Sequence, residues 1–287
     1  MGAFQRSWDL TKISFSVIGK DKELILFPIL AGIFSLLFMA AMILPAFFVS
    51  PFLDYQRMQI MGYVYLFLVY LGLDFISTFF NVCVVYTVKK RFENGNSTFF
   101  ESLAFAASRI HLIFSWSLLS ATIGIILRII ENLSRRLGFV GQIIVNIATG
   151  IIGMAWSIAT IFVVPGMVYN NLGPVEAIKR SVETLKKTWG ESLIRYLGFG
   201  LVEGLLLVAG IVSGVILVIV SMSFGIIAVG IAILLSVIYI LGVIIMFSVA
   251  TTVFNTALYV YANTGKIPAG FDKEMLLNAF QKKKAKI

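Results

Sequence analysis

One cysteine and one histidine stand in 287 residues. A lone Cys83 excludes an intrachain disulfide and any multi-cysteine metal site. It lies in an apolar run, where a thiol packs as a small hydrophobe. A lone His111 excludes a histidine-ligated metal and a histidine dyad. It opens an apolar run beside Arg109, at headgroup level. No Gly-x-Ser-x-Gly elbow and no phosphate-binding loop occur. The Gly198-Phe-Gly200 and Gly204 cluster has the wrong spacing for a dinucleotide loop, and no strand precedes it. Charge is scarce, at 13 % of residues, and no stretch is long and polar enough for a soluble catalytic domain. These absences lead us to expect no enzyme, no cofactor and no metal.

What fills the chain is apolar. Hydrophobic residues make up 59 %, and the mean hydropathy is +0.97. Several runs exceed about 18 residues, the length that reads as membrane-spanning. The expected fold is all-α: a polytopic helical membrane protein with about six transmembrane helices. The spans fall near 24–49, 60–88, 111–130, 139–165, 193–220 and 226–262. The nearly uncharged stretch 196–262 would also fit three shorter spans. About twenty polar and charged residues precede the first run, unlike a signal peptide.

The net charge of +9 raises nucleic acid or anionic lipid as partners. Positions decide between them. With six spans and the N-terminus inside, nineteen of the 23 Lys and Arg residues fall on the inner side. Only Arg57, Arg128, Arg135 and Arg136 fall outside. This positive-inside bias accounts for the charge without nucleic acid. It places both termini in the cytoplasm.

Asn171 to Gly190 reads NLGPVEAIKRSVETLKKTWG. Pro174 suits a first helical position, and Glu176 meets the positive end of the helix dipole. Val175, Ile178, Val182, Leu185 and Trp189 share one helical stripe. Lys179, Arg180, Glu183, Lys186 and Lys187 take the other side. A shift of 75 residues maps this stripe onto Phe100, Leu103, Ala107, Ile110 and Phe114, behind a Thr98-x-x-Glu101 capping box. A shift of 174 maps it onto Phe4, Trp8, Thr11 and Phe15. The spans ahead of these segments close on Asn94-Gly95, on Asn170-Asn171 and on Asn263-Thr264-Gly265, which suit helix stops.

The pattern predicts three repeats of one cytoplasmic amphipathic helix plus two spans, within a single membrane domain. The repeats cover 1–95, 96–172 and 173–265. A basic tail, 266–287, carries a candidate fourth amphipathic helix, Pro268 to Phe280. Such helices suit the interface beside anionic headgroups, with Trp8, Phe114 and Trp189 as anchors. Lys179, Arg180, Lys186, Lys187, Lys89, Lys90 and Arg91 would meet lipid or a partner protein. The other reading is that each stripe packs on neighbouring spans.

The stretches RSWDLTKISFSVIGKDKELILFPILAGI and AWSIATIFVVPGMVYNNLGPVEAIKRSVETLKKTWGE resemble an uncharacterised family of prokaryotic integral membrane proteins, a six-span domain of unknown function. The resemblance implies a cell-membrane location and a match over nearly the whole chain. VPGMVYNNLGPVEAIKRSVETLKK also resembles, more loosely, the connector in the membrane domain of some glycerophosphodiester phosphodiesterases. That likeness brings no catalytic residues.

Two acids fall at membrane depth: Asp74 in the middle of span two and Glu203 near the middle of span five. An ionised, lipid-facing acid costs about 2.5–3.5 kcal/mol or more, so both should face the bundle. Asn81 lies two turns from Asp74 on the same face. Asn146, Asn255 and Arg128 are other candidate partners, although Arg128 and Glu131 are spaced to pair with each other. Two functions follow. One is a non-enzymatic module organising lipid or a partner through its basic helices. The other is a small proton- or cation-linked transporter or channel using Asp74 and Glu203. Gly200-x-x-x-Gly204 and Gly210-x-x-x-Gly214 offer a close helix approach within the bundle.

Overall fold

The computed structural model describes residues 19, 21, 23–49, 55–189, 198–269 and 271. Among them the regular structure is entirely helical. The chain divides into two compact units: Phe27–Lys187, and Met1–Leu26 with Thr188–Ile287. The first unit holds most of α1 (Glu23–Val49), then α2 (Tyr55–Phe92), α3 (Phe99–Ser108), α4 (Ile110–Ser134), α5 (Gly138–Ala159), α6 (Val163–Asn170) and all but the last two residues of α7 (Pro174–Trp189). The second holds α8 (Gly198–Ser221) and α9 (Ile226–Thr264).

Five apolar stretches are long enough to cross a membrane. The third, Ile110–Asn170, contains α4, α5 and α6. Most of these residues keep their apolar side chains outward, as helices surrounded by lipid do. The stretch after 196 resolves into two helices and not three. At 1.5 Å per residue, α2 and α9 run to about 57 Å, well past a hydrocarbon core of about 30 Å.

In the first unit α2 is the hub. Its segment Val82–Val85 and Val88 are at most 3 % exposed. Phe34 lies against Phe80 at 5.8 Å, and the Phe38 ring lies on the bare Cα of Gly72. Along α4 the partners run antiparallel to α2. The Asn132 amide donates to Tyr63 Oη at 3.1 Å, Gly124 receives the Tyr70 ring, and Phe75 meets Phe114 edge-on. Between α4 and α5, Trp116 and Trp156 stack at 5.9 Å with parallel rings. They are equidistant from Arg136, so these helices form a hairpin.

That hairpin turns through Ser134, one 3₁₀ turn (Arg135–Leu137) and Gly138 at φ +72°. The second unit repeats the device with Ser221, Met222–Phe224 and Gly225 at φ +91°. Both glycines occupy an extended backbone region with positive φ that costs an L-residue about 1–3 kcal/mol. In the α8–α9 hairpin the Tyr239 ring covers Gly210 and Ser236 covers Gly214. The close approach expected of this glycine pair is therefore internal. Gly204 has no neighbour within 4 Å of where a Cβ would sit.

The fourth span is broken. The sequence reads one helix over 139–165, but α5 stops at Ala159 and α6 starts at Val163. Pro165 has no N–H to donate and its ring opposes the carbonyl four residues back. The helix resumes with Gly166 N–H donating to Phe162 O at 2.9 Å.

Candidate functional site

Helix α7 presents three faces, one more than its apolar and charged residues suggest. The packed face is built of small residues: Ala177 and Ser181 are 0 % exposed and Thr184 is 1 % exposed. Ser181 Oγ accepts the Phe162 N–H at 3.1 Å, which docks α7 onto the break between α5 and α6. The expected stripe lies about 100° further round and is only partly covered. Val175 is 58 % exposed, Ile178 and Val182 are half-buried, and Leu185 is buried. The third face carries the charges. Lys179, Lys186 and Lys187 are exposed and have no ion-pair partner among the described residues. Arg180 reaches Glu183 at 3.7 Å.

Helix α3 docks in the same way. Ser102 and Ala106, which align with Ala177 and Ser181, are 0 % exposed. Ser102 Oγ lies 2.7 Å from Thr87 Oγ1 and 3.0 Å from Ser97 Oγ, and Thr87 donates onward to Cys83 O at 3.0 Å. The capping box forms as read: Glu101 N–H donates to Thr98 Oγ1 and Thr98 N–H donates to Glu101 Oε2. One expectation is corrected. The stripe from Phe100 to Phe114 does not lie on one helix, because α3 ends at Ser108 and Arg109 breaks the chain before α4. Ile110 and Phe114 belong to the spanning helix, each about half exposed. His111 lies exposed in the first turn of α4.

The helix stops fall where Asn and Gly predict them. Asn94, Asn171 and Gly265 take left-handed conformations, and Asn94 and Asn171 are the two non-glycine residues with positive φ among the described residues. Pro174 follows Asn171 by three residues, and Pro268 follows Gly265 by three. Phe271 N–H donates to Pro268 O at 3.1 Å, and both side chains are buried. Arg109 hydrogen-bonds Asn171 Oδ1, tying the α3–α4 junction to the end of α6.

The basic end of α2 is already engaged. Lys89 Nζ lies 5.0 Å from the centre of the Tyr169 ring, and Lys90 Nζ lies 5.6 Å from that of Tyr86. Arg91 donates to Asn96 Oδ1 at 3.3 Å. Tyr86 in turn stacks on Phe105, whose other contact is the Arg109 guanidinium. All three cations sit in the last turn of α2, where they offset the negative end of the helix dipole. Trp189 closes α7, whereas Trp8 and most of the tail segment after Pro268 lie outside the described residues.

Asp74 sits at the midpoint of α2, facing α4. Ser120 Oγ donates to its Oδ1 at 3.2 Å and Thr78 Oγ1 to its Oδ2 at 3.4 Å. The Ser117 hydroxyl, one turn from Ser120, interacts with the same carboxyl but falls outside hydrogen-bond geometry. Ser117 is 0 % exposed. The partners seen for Asp74 are thus hydroxyls, and Asn81 is half-buried one turn beyond Thr78. Sequence reasoning missed Ser117 and Ser120. Their signal is a three-residue spacing on the helix that pairs with α2. Arg128 pairs with Glu131 at 3.2 Å, as its spacing predicts.

Glu203 lies in α8, and residues 190–197 ahead of that helix lie outside the described residues. In the described helix it lies in the second turn of α8, half-buried, in the other compact unit.

Residues 60–271 match a family described as a family of unknown function (DUF6159). That is most of the chain, and the chain belongs to this family. No curated protein matches it. The family match begins after the opening stretch quoted above, and nothing found supports the likeness to phosphodiesterase membrane domains.

Proposed function

We propose that this chain is a non-enzymatic module of the cell membrane that gathers anionic lipid headgroups through α7. The observation that carries this reading is the third face of that helix. Packing uses Ala177, Ser181 and Thr184. It leaves an apolar strip and three unpaired lysines pointing outward side by side. A helix with those two neighbouring faces suits the plane of the headgroups, apolar strip down and lysines among phosphates. Each lysine near such a surface contributes about 1 kcal/mol. The topology that goes with this reading has six spans and cytoplasmic termini. The matched stops at Asn94, Asn171 and Gly265 and the twin hairpin turns support an internally repeated chain.

The test is lipid retention. The wild type and a K179E/R180E/K186E/K187E variant are purified in mild detergent from one membrane, and bound anionic lipid is quantified. A several-fold loss in the variant is expected. Equal retention would overturn the reading, and loss of a co-purifying protein with lipid unchanged would replace lipid by a protein partner.

A second reading, an ion-linked path, is favoured by one observation only: the hydroxyls gathered on Asp74. It predicts that Asp74→Asn stops a cation or proton flux in proteoliposomes. Absence of flux in the wild type would sink it.

A further inference from the structure

The hydroxyls around Asp74 are set too far out for the bonds they appear to make. A hydroxyl donating to a carboxylate ordinarily closes to about 2.5–2.7 Å. Here the two separations are 3.2 and 3.4 Å. The third hydroxyl, Ser117 Oγ, is fully buried, interacts with the same carboxyl and has no hydrogen-bond partner. A buried hydroxyl with no partner costs about 1–3 kcal/mol if nothing occupies the space beside it. Oxygens arranged around a hard cation at about 2.4 Å stand roughly 3.4 Å from one another, the edge of an octahedron. The two carboxylate–hydroxyl separations, 3.2 and 3.4 Å, match that edge.

Charge selects the ion. Asp74 has no basic partner among the described residues, and the remaining donors are neutral. One carboxylate and one monovalent cation cancel. A divalent ion would leave a net positive charge at membrane depth, where it is expensive. Size favours sodium, close to calcium in radius, over the larger potassium. We propose that Asp74, Thr78, Ser117 and Ser120 form a sodium-binding site between α2 and α4. The site does not rest on the lipid-gathering reading, since α7 contributes nothing to it.

The site is tested by thermal unfolding of the full-length protein in detergent. Sodium, potassium and choline chloride are compared at one ionic strength and pH. Sodium at about a hundred times its Kd should raise the midpoint by roughly 5 °C or more over choline, and potassium by less. Ser117→Ala should lose most of that sodium-specific rise while unfolding near the wild-type temperature in choline. Asp74→Asn should lose it entirely. Equal midpoints in all three salts would overturn the proposal and leave a dry or protonated acid. A sodium-specific rise that survives Ser117→Ala in full would overturn the location. Ser117→Ala carries the test if Asp74→Asn fails to fold.

Discussion

Helices α3 and α7 occupy equivalent places after a left-handed helix stop, yet only one of them is cationic. Both dock by two fully buried small residues four positions apart: Ser102 and Ala106 in α3, Ala177 and Ser181 in α7. Both leave an apolar residue near the start of the helix exposed, Phe100 and Val175. They differ on the third face, where α7 carries Lys179, Lys186 and Lys187 and α3 has no lysine or arginine. Docking and charge are thus separate properties of these helices. Among the described residues no charge on α7 pairs outside its own helix, which leaves Lys179, Lys186 and Lys187 available for another purpose.

The comparison breaks most severely at the shared docking face. Ser102→Leu and Ser181→Leu put a large side chain where nothing is exposed, and each should cost about 1–3 kcal/mol or more. Thermal unfolding in detergent checks this, and a large drop in one variant alone would mean that the two docks are not equivalent. Removing the hydroxyls separates them. Ser181→Ala takes away the acceptor of the buried Phe162 N–H and should cost about 1–3 kcal/mol. Ser102→Ala leaves Thr87 bonded to Cys83 O and should cost about 0.5–1.5 kcal/mol. The smallest effect lies at the caps. Thr98→Ala removes the capping box of α3 at about 1 kcal/mol, while Gly173→Ser, at the matching position before Pro174, should stabilise α7 by a few tenths. Amide exchange in the first turn of each helix reads both changes.

Much of this was legible in the residues. The stops at Asn94, Asn171 and Gly265 followed from local backbone preference, which needs no knowledge of neighbours. The capping box was equally local. The docking faces were not legible, because they are made of Ser, Ala and Thr. A search for apolar periodicity passes over small residues, although close helix contacts in membranes favour them. The break at Arg109 was hidden because Ile110 and Phe114 continue the spacing of the stripe across it. Break and spacing are independent, and only tertiary contacts such as Arg109 with Asn171 show where the axis turns. Asp74 lies at the midpoint of α2, but its partner Ser120 belongs to α4, and naming it required the register between two helices.

That register between α2 and α4 has a consequence for assembly. Two apolar helices already in lipid gain little from one sliding position over another, so polar and close contacts must choose. Ser117 and Ser120 are one turn apart, so Asp74 finds a hydroxyl whether α4 sits where it does or is shifted by a turn. The acid alone would accept a misassembled pair. The choice falls to Gly124, which admits the Tyr70 ring, and to Asn132, whose amide reaches Tyr63 Oη. The ends of the seam act as the key that sets the pair, and the carboxyl at its centre is free to serve something other than folding.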